Sequence, residues 1–181
     1  MEIDAQGLLA GARFVPSPNA DERPAGEAPS LVVVHGISLP PRCFGSDAVE
    51  RLFTNRLDTA THPDFAALAG LEVSAHLFIR RGGEIVQFVA TGRRAWHAGD
   101  SFWRGRARCN DFSVGVELEG ADDVPYLEAQ YLALARVVAA LGRRYRIAEI
   151  VGHSDIAPAR KTDPGEAFDW RHFRERLAAV G

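Results

Sequence analysis

The stretch "FSVGVELE", residues 112–119, alternates without a break. Phe112, Val114, Val116 and Leu118 point one way and Ser113, Gly115, Glu117 and Glu119 the other, which is the period of a β-strand. One face of that strand is expected to be core and the other free for chemistry. Upstream, "LVVV" at 31–34 is a β-branched apolar run of the kind that forms buried strands, and it delivers His35 at its C-terminal end. Downstream, "AEIV" at 148–151 reads as another short buried strand, and its end presents His153. "VSAHLFI" at 73–79 and the run at 84–89 read as a β-hairpin, with Gly82 and Gly83 supplying the positive φ that a tight turn needs.

Helices are expected beside these strands. In 125–145 the apolar residues fall at 127, 131, 134, 138, 141 and 145, the spacing of an amphipathic helix with Pro125 in its first turn and Arg143 and Arg144 in its last. Residues 168–180, "FDWRHFRERLAAV", read as a second one. Strands interleaved with helices, plus one hairpin, predict an α/β fold: a single domain with a central mixed β-sheet flanked by helices.

The 181 residues fit one domain, and 46% hydrophobic with 9% aromatic residues is ample for a core. A net charge of -3 gives no cationic footprint, so nucleic acid is not expected as a partner. No apolar run approaches the roughly 18 residues of a membrane span, so no membrane partner is expected either. The first residues lack a basic segment followed by an apolar one, which predicts no export signal and a cytoplasmic location. Cys43 and Cys109 are too few for a disulfide scaffold and are expected as free thiols. Nothing in the chain demands a partner subunit, so a monomer is expected. Residues 1–30 read as an irregular lead-in laid over the domain that occupies 31–181.

The chemistry gathers in "VGHSDIAPARKTDPG", residues 151–165, where His153, Asp155, Lys161 and Asp163 sit in one loop at a strand end. Side chains from different strands converge there in open sheets. His35, His153 and one aspartate would make the three-ligand set of a catalytic Zn²⁺ site, whose fourth position is left to water. Asp155 suits a hydrogen bond to the backbone of its own turn, whereas Asp163, held extended by Pro164, suits a return toward the site. Spacing alone leaves both open, with Asp163 slightly ahead. Glu117 and Glu119 share a strand face, and the pattern does not choose between them. His62 and His172 read as surface residues, and His76 and His97 as supports or rim. Arg104, Arg106 and Arg108 alternate and offer guanidinium forks to a carboxylate. Trp96 and Trp103 offer apolar faces to a sugar, although aromatic residues in a small domain are more often core.

"VVVHGISLPP", "SAHLFIRRGGEIVQFV", "RAWHAGDSFWRGRARCNDFSVGVELEG" and "VGHSDIAPARKTDPGEAFDW" resemble the AmpD family of zinc amidases, relatives of the phage-lysozyme type of amidase and of the peptidoglycan recognition proteins. The resemblance runs from about residue 12 to 173. It implies Zn²⁺ held by His35, His153 and Asp163, with Glu117 and Lys161 catalytic. It also implies hydrolysis of the amide between 1,6-anhydro-N-acetylmuramic acid and the L-alanine of a stem peptide, in the recycling of peptidoglycan fragments. Arg108, Trp96 and His97 are the expected substrate contacts for such an anhydro-muropeptide. The family pattern has Asn after the first ligand His, and Gly36 stands there instead, without a side chain to hydrogen-bond. Two other functions fit the same sequence: a recognition protein that binds muropeptides without cleaving them, and an amidase of the polymeric wall. The complete ligand and catalytic set favours hydrolysis over mere binding.

Overall fold

The computed structural model describes residues 1–181. In chain order the strands and helices are β1 (Arg13–Phe14), β2 (Ala20–Asp21), β3 (Leu31–Ile37), α1 (Ala48–Phe53), β4 (Leu77–Ile79), β5 (Ile85–Gln87), β6 (Arg94–Ala95), β7 (Phe102–Trp103), β8 (Arg106–Ala107), β9 (Ser113–Glu119), α2 (Glu128–Arg144), β10 (Glu149–Gly152), α3 (His153–Ile156) and α4 (Trp170–Val180). A 3₁₀ segment, Pro63–Leu68, follows α1, and a second covers Cys109–Asp111.

Six strands form the main sheet in the order β1-β5-β4-β9-β3-β10. β4 and β5 are the expected antiparallel hairpin, while β4, β9, β3 and β10 run parallel, so the sheet is mixed. The hairpin ladder is shorter than the sequence pattern suggested. It ends at His76, whose carbonyl accepts the Phe88 N–H while its own N–H donates to Gly115 of β9. Of the two turn glycines only Gly83 has positive φ, at 85°.

The alternation holds from Ser113 on, with two corrections: Phe112, ahead of β9, packs with Leu31 and Val33 in a separate cluster, and the face opposite Val114 is not free. Val114, Val116 and Leu118 join Val32 and Val34 of β3 in a core against Leu134, Val137 and Leu141 of α2 and Phe173 of α4. The opposite face is covered as well, and every residue of β9 is buried. His97 covers Ser113 and Gly115 there, so the face is not an open surface. α2 begins at Glu128, so Pro125 lies ahead of the helix rather than in its first turn. Gln130 side-chain Oε1 accepts the Leu127 N–H, which satisfies one donor of the helix start. α4 starts behind Asp169, whose carboxylate accepts the His172 N–H at 2.9 Å.

The N-terminal lead-in is more ordered than its composition indicates. β1 pairs with β5 and β2 with β6, and Leu9 is part of the main core. Arg23 is driven inward: its guanidinium donates to the carbonyls of Thr91, Asn110, Asp111 and Ser113 at 2.8–3.2 Å. Burial lowers its pKa to about 10. One lead-in side chain thus ties together the loop after β5, the 3₁₀ segment before β9 and the first residue of β9. Cys43 and Cys109 are both free. No helix is long and apolar enough to cross a membrane.

Candidate active site and metal centre

Parallel register brings the site together. His35 of β3 lies directly opposite Glu117 of β9, and β10 on the other side of β3 ends where His153 begins α3. Three adjacent strands therefore deliver three side chains to one end of the sheet. The loop after α3 returns Asp163, whose carbonyl accepts the Ser154 N–H at 2.9 Å.

His35 Nδ1, His153 Nδ1 and Asp163 Oδ2 form a triangle with edges of 2.9, 3.1 and 3.2 Å. A tetrahedral ion with bonds of about 2.0–2.1 Å needs ligand atoms roughly 3.3 Å apart, so the triangle is close to one face of such a site. Asp155 is elsewhere: its Oδ2 accepts the Gly152 N–H at 2.7 Å, the local turn bond that the sequence offered as its alternative role.

The proton bookkeeping points the same way. Ser113 Oγ donates to the Cys109 carbonyl at 2.6 Å, so toward His97 Nε2, 3.1 Å away, it can only accept. A neutral His97 then carries its hydrogen on Nε2 and accepts at Nδ1 from His35 Nε2, 2.9 Å away. His35 is left with a bare Nδ1. His153 Nε2 faces the Ala98 carbonyl at 3.1 Å and must donate, which in a neutral ring bares its Nδ1 too. Burial depresses His35, to about 4, and His97 well below the usual imidazole value, so both rings are neutral near pH 7. Two nitrogen lone pairs and a carboxylate oxygen meet with no hydrogen between them, an arrangement that a divalent cation satisfies.

Glu117 is the buried acid beside this triangle. Its Oε1 is 4.0 Å from His35 Nδ1, and its Oε2 is buried without a hydrogen-bond partner. Burial, and then the neighbouring Asp163 charge, push its carboxyl well above the usual value, against a smaller opposing pull from Lys161. Glu119 has another task, accepting the backbone N–H groups of Gly45 and Arg81 at 2.5 and 3.0 Å. That separates two acids that the strand pattern left equivalent.

The triangle opens into a cleft of about 520 Å³, within the range of ligand pockets. Glu117, Lys161, Trp96 and His97 line it. His97 also backs His35, and its ring crosses β9 where a Cβ at Gly115 would overlap it. Arg108 is not in the lining: its guanidinium is largely exposed and pairs with Asp111 at 3.1 Å. The three alternating arginines do not share one extended segment, because β7 and β8 fold into a tight hairpin around Arg104 and Gly105. Arg104 and Arg106 pair with Glu149 and Glu27. Trp103 donates to Glu149 and packs outside the cleft. His62 is half-buried and accepts the Asp64 N–H at the start of the 3₁₀ segment, and His172 packs on Tyr131 and bonds Glu128. His76 is fully buried behind His97.

Three features of the cleft had no counterpart in the sequence reading. Asn110 accepts the N–H groups of His97 and Ala98 at 3.2 and 2.8 Å and so shapes the loop that carries His97. Arg160 donates to the carbonyls of Ala98 and Asp100 and lines the cleft. An apolar wall comes from Leu52, Phe53, Leu68 and Leu71, in α1, the following 3₁₀ segment and its exit. The apolar spacing of Val49, Leu52 and Phe53 was the available signal for α1.

The fold and site define a class. Residues 25–166 match the protein family described as N-acetylmuramoyl-L-alanine amidase. Over 171 residues, 93% of each chain, the protein is 58% identical to the 1,6-anhydro-N-acetylmuramyl-L-alanine amidase AmpD of Escherichia coli K12. It is 46% identical to the AmpD of Haemophilus influenzae over 93% of each chain. It superposes on a crystal structure of a selenomethionine AmpD derivative with a TM-score of 0.95 and 56% identity, covering 98% and 99% of the two chains. Escherichia coli AmiD, in complex with the substrate anhydro-N-acetylmuramic acid-L-Ala-D-γ-Glu-L-Lys, gives a TM-score of 0.60 at 28% identity, over 87% of this chain and 65% of that one. The chain belongs to the AmpD family of N-acetylmuramoyl-L-alanine amidases and is an amidase.

Proposed function

We propose that the protein is a Zn²⁺-dependent amidase that cleaves the bond between 1,6-anhydro-N-acetylmuramic acid and the L-alanine of a stem peptide, acting as a monomer in the cytoplasm on recycled wall fragments. The observation that carries the metal reading is the convergence of two bare Nδ1 atoms and one carboxylate oxygen at about 3 Å. The substrate reading is supported by the anhydro-muramyl specificity in the name of the 58% identical relative. Zinc bound by His35, His153 and Asp163 would supply Lewis acidity and lower the pKa of a water to about 7.

The remaining roles belong to the chain. Glu117, with one oxygen unpartnered and its carboxyl held above the usual range, takes a proton from the attacking water and passes it to the departing amine of L-alanine. Lys161, lining the cleft, stabilises the oxyanion that develops on the amide carbonyl. Trp96 and the apolar wall of Leu52, Phe53 and Leu71 receive the sugar and exclude water. Arg160 in the lining, and Arg108 beyond it, present guanidinium groups to the peptide carboxylates.

The test is to incubate zinc-loaded protein with an anhydro-muropeptide and with intact peptidoglycan and to identify the fragments by mass spectrometry. Free stem peptide and anhydro-muramic acid from the small substrate support the reading. Release from the polymer alone would assign the enzyme to the wall instead.

A further inference from the structure

Gly36 follows His35 on β3 and lines the cleft, and its missing side chain leaves a space that is filled from an unexpected direction. A Cβ built on Gly36 would lie closer than 3.0 Å to the hydroxyl oxygen of Tyr126, nearer than real Cβ atoms approach. Tyr126 is buried and comes from the loop between β9 and α2. Its hydroxyl donates to the carbonyl of Pro164 at 2.9 Å, one residue beyond Asp163.

Resting on the metal reading above, we propose that Tyr126 is a positioning residue for the third ligand, and that Gly36 is the residue that admits its hydroxyl. The ring has little room to retreat. It packs edge-on to Phe168 with centroids 5.5 Å apart, and a Cβ at Gly120 would overlap its edge. The same loop grips the ligand segment a second time, because the Ala167 N–H donates to the Asp122 carbonyl at 2.8 Å and Gly165 is pressed against Asp122. On the other side the Asp163 carbonyl is held by the Ser154 N–H. Asp163 is therefore fixed between two backbone anchors, one of which exists through the Tyr126 hydroxyl. Partners bonded to a ligating side chain typically change metal affinity 10- to 100-fold when removed, and an anchor on the backbone beside the ligand is expected at the low end of that range.

The arrangement makes a specific prediction for a pair of substitutions. With the hydroxyl gone, the nearest atoms to a Cβ at position 36 are Pro164 Cα at 3.5 Å and Pro164 O at 3.6 Å, which is ordinary contact. Tyr126→Phe, Gly36→Ala and the double variant are each titrated with Zn²⁺ against a chelator, with Asp163→Ala as a control and thermal unfolding as a check on folding. Tyr126→Phe is expected to weaken zinc binding by about tenfold. Gly36→Ala should weaken it at least as much by dislodging the hydroxyl, and the double variant should be no weaker than Tyr126→Phe alone. The proposal is overturned if Tyr126→Phe binds zinc as tightly as the parent, or if the two losses multiply. Should Gly36→Ala fail to fold, the affinity of Tyr126→Phe decides. Asp163→Ala retaining the parent affinity would instead sink the ligand assignment itself.

Discussion

Glu117 lies directly across the parallel ladder from His35, with its Oε1 4.0 Å from His35 Nδ1 and its Oε2 buried without a partner. A carboxyl so placed is available for proton transfer beside the triangle of His35, His153 and Asp163. Glu117→Gln fits the same space but cannot take the proton. It should keep bound zinc and lose about 10²- to 10⁴-fold in kcat. Metal analysis and turnover on the anhydro-muropeptide check both halves; full turnover would remove Glu117 from the chemistry.

His97 bonds His35 through Nδ1 and Ser113 through Nε2 while lining the cleft. If it orients the ligand, His97→Ala should lower zinc affinity about 10- to 100-fold. A rise in KM with zinc affinity unchanged would make it a substrate contact only.

Arg23 satisfies four backbone carbonyls that no other side chain reaches in the same way. Arg23→Ala strands them and should cost about 2–4 kcal/mol of stability in urea unfolding. A loss below about 0.5 kcal/mol, the range of ordinary surface changes, would mean that the lead-in is dispensable.

His76 predicts the pH response of the fold. Its Nδ1 accepts the Gly115 N–H and its Nε2 faces the Arg93 carbonyl, so it is buried neutral; burial, and then the Arg23 charge, lower its pKa from 6.5 to about 3. Below pH 6.5 the unfolded chain takes up a proton that the folded chain refuses until about pH 3. This contribution is therefore intact above that window and lost as pH falls through it, with a limiting slope of about 1.4 kcal/mol per pH unit. Gln can keep both hydrogen bonds without titrating. Unfolding free energies measured from pH 7 to 4 should fall less steeply for His76→Gln than for the parent; parallel curves would contradict the assignment.

The site was legible where buried patterns led to it. β3 and β10 announced themselves as short apolar runs and β9 by its alternation; His35 and Glu117, toward the C-terminal ends of β3 and β9, and His153, just after β10, are the residues that the parallel register assembles. Loop chemistry alone left Asp155 and Asp163 open and the resemblance picked Asp163; the fold supplies the physical reason, because the Gly152 N–H claims the Asp155 carboxylate. The strand pattern likewise did not separate Glu119 from Glu117, which the resemblance did; the fold shows why, since the Gly45 and Arg81 N–H groups occupy Glu119. β1 and β2 are two residues each, too short for any periodicity. The inward course of Arg23 depends on carbonyls some 70 to 90 residues away. Arg108 was expected at the substrate from its place beside the family motif; the β7–β8 hairpin sets it outside the cleft lining.

The most direct measurement is anomalous diffraction at the zinc absorption edge from crystals grown with Zn²⁺. The account predicts one peak about 2.0–2.2 Å from His35 Nδ1, His153 Nδ1 and an Asp163 oxygen. A peak bound through either Nε2, or density that leaves Asp163 unligated, would contradict it.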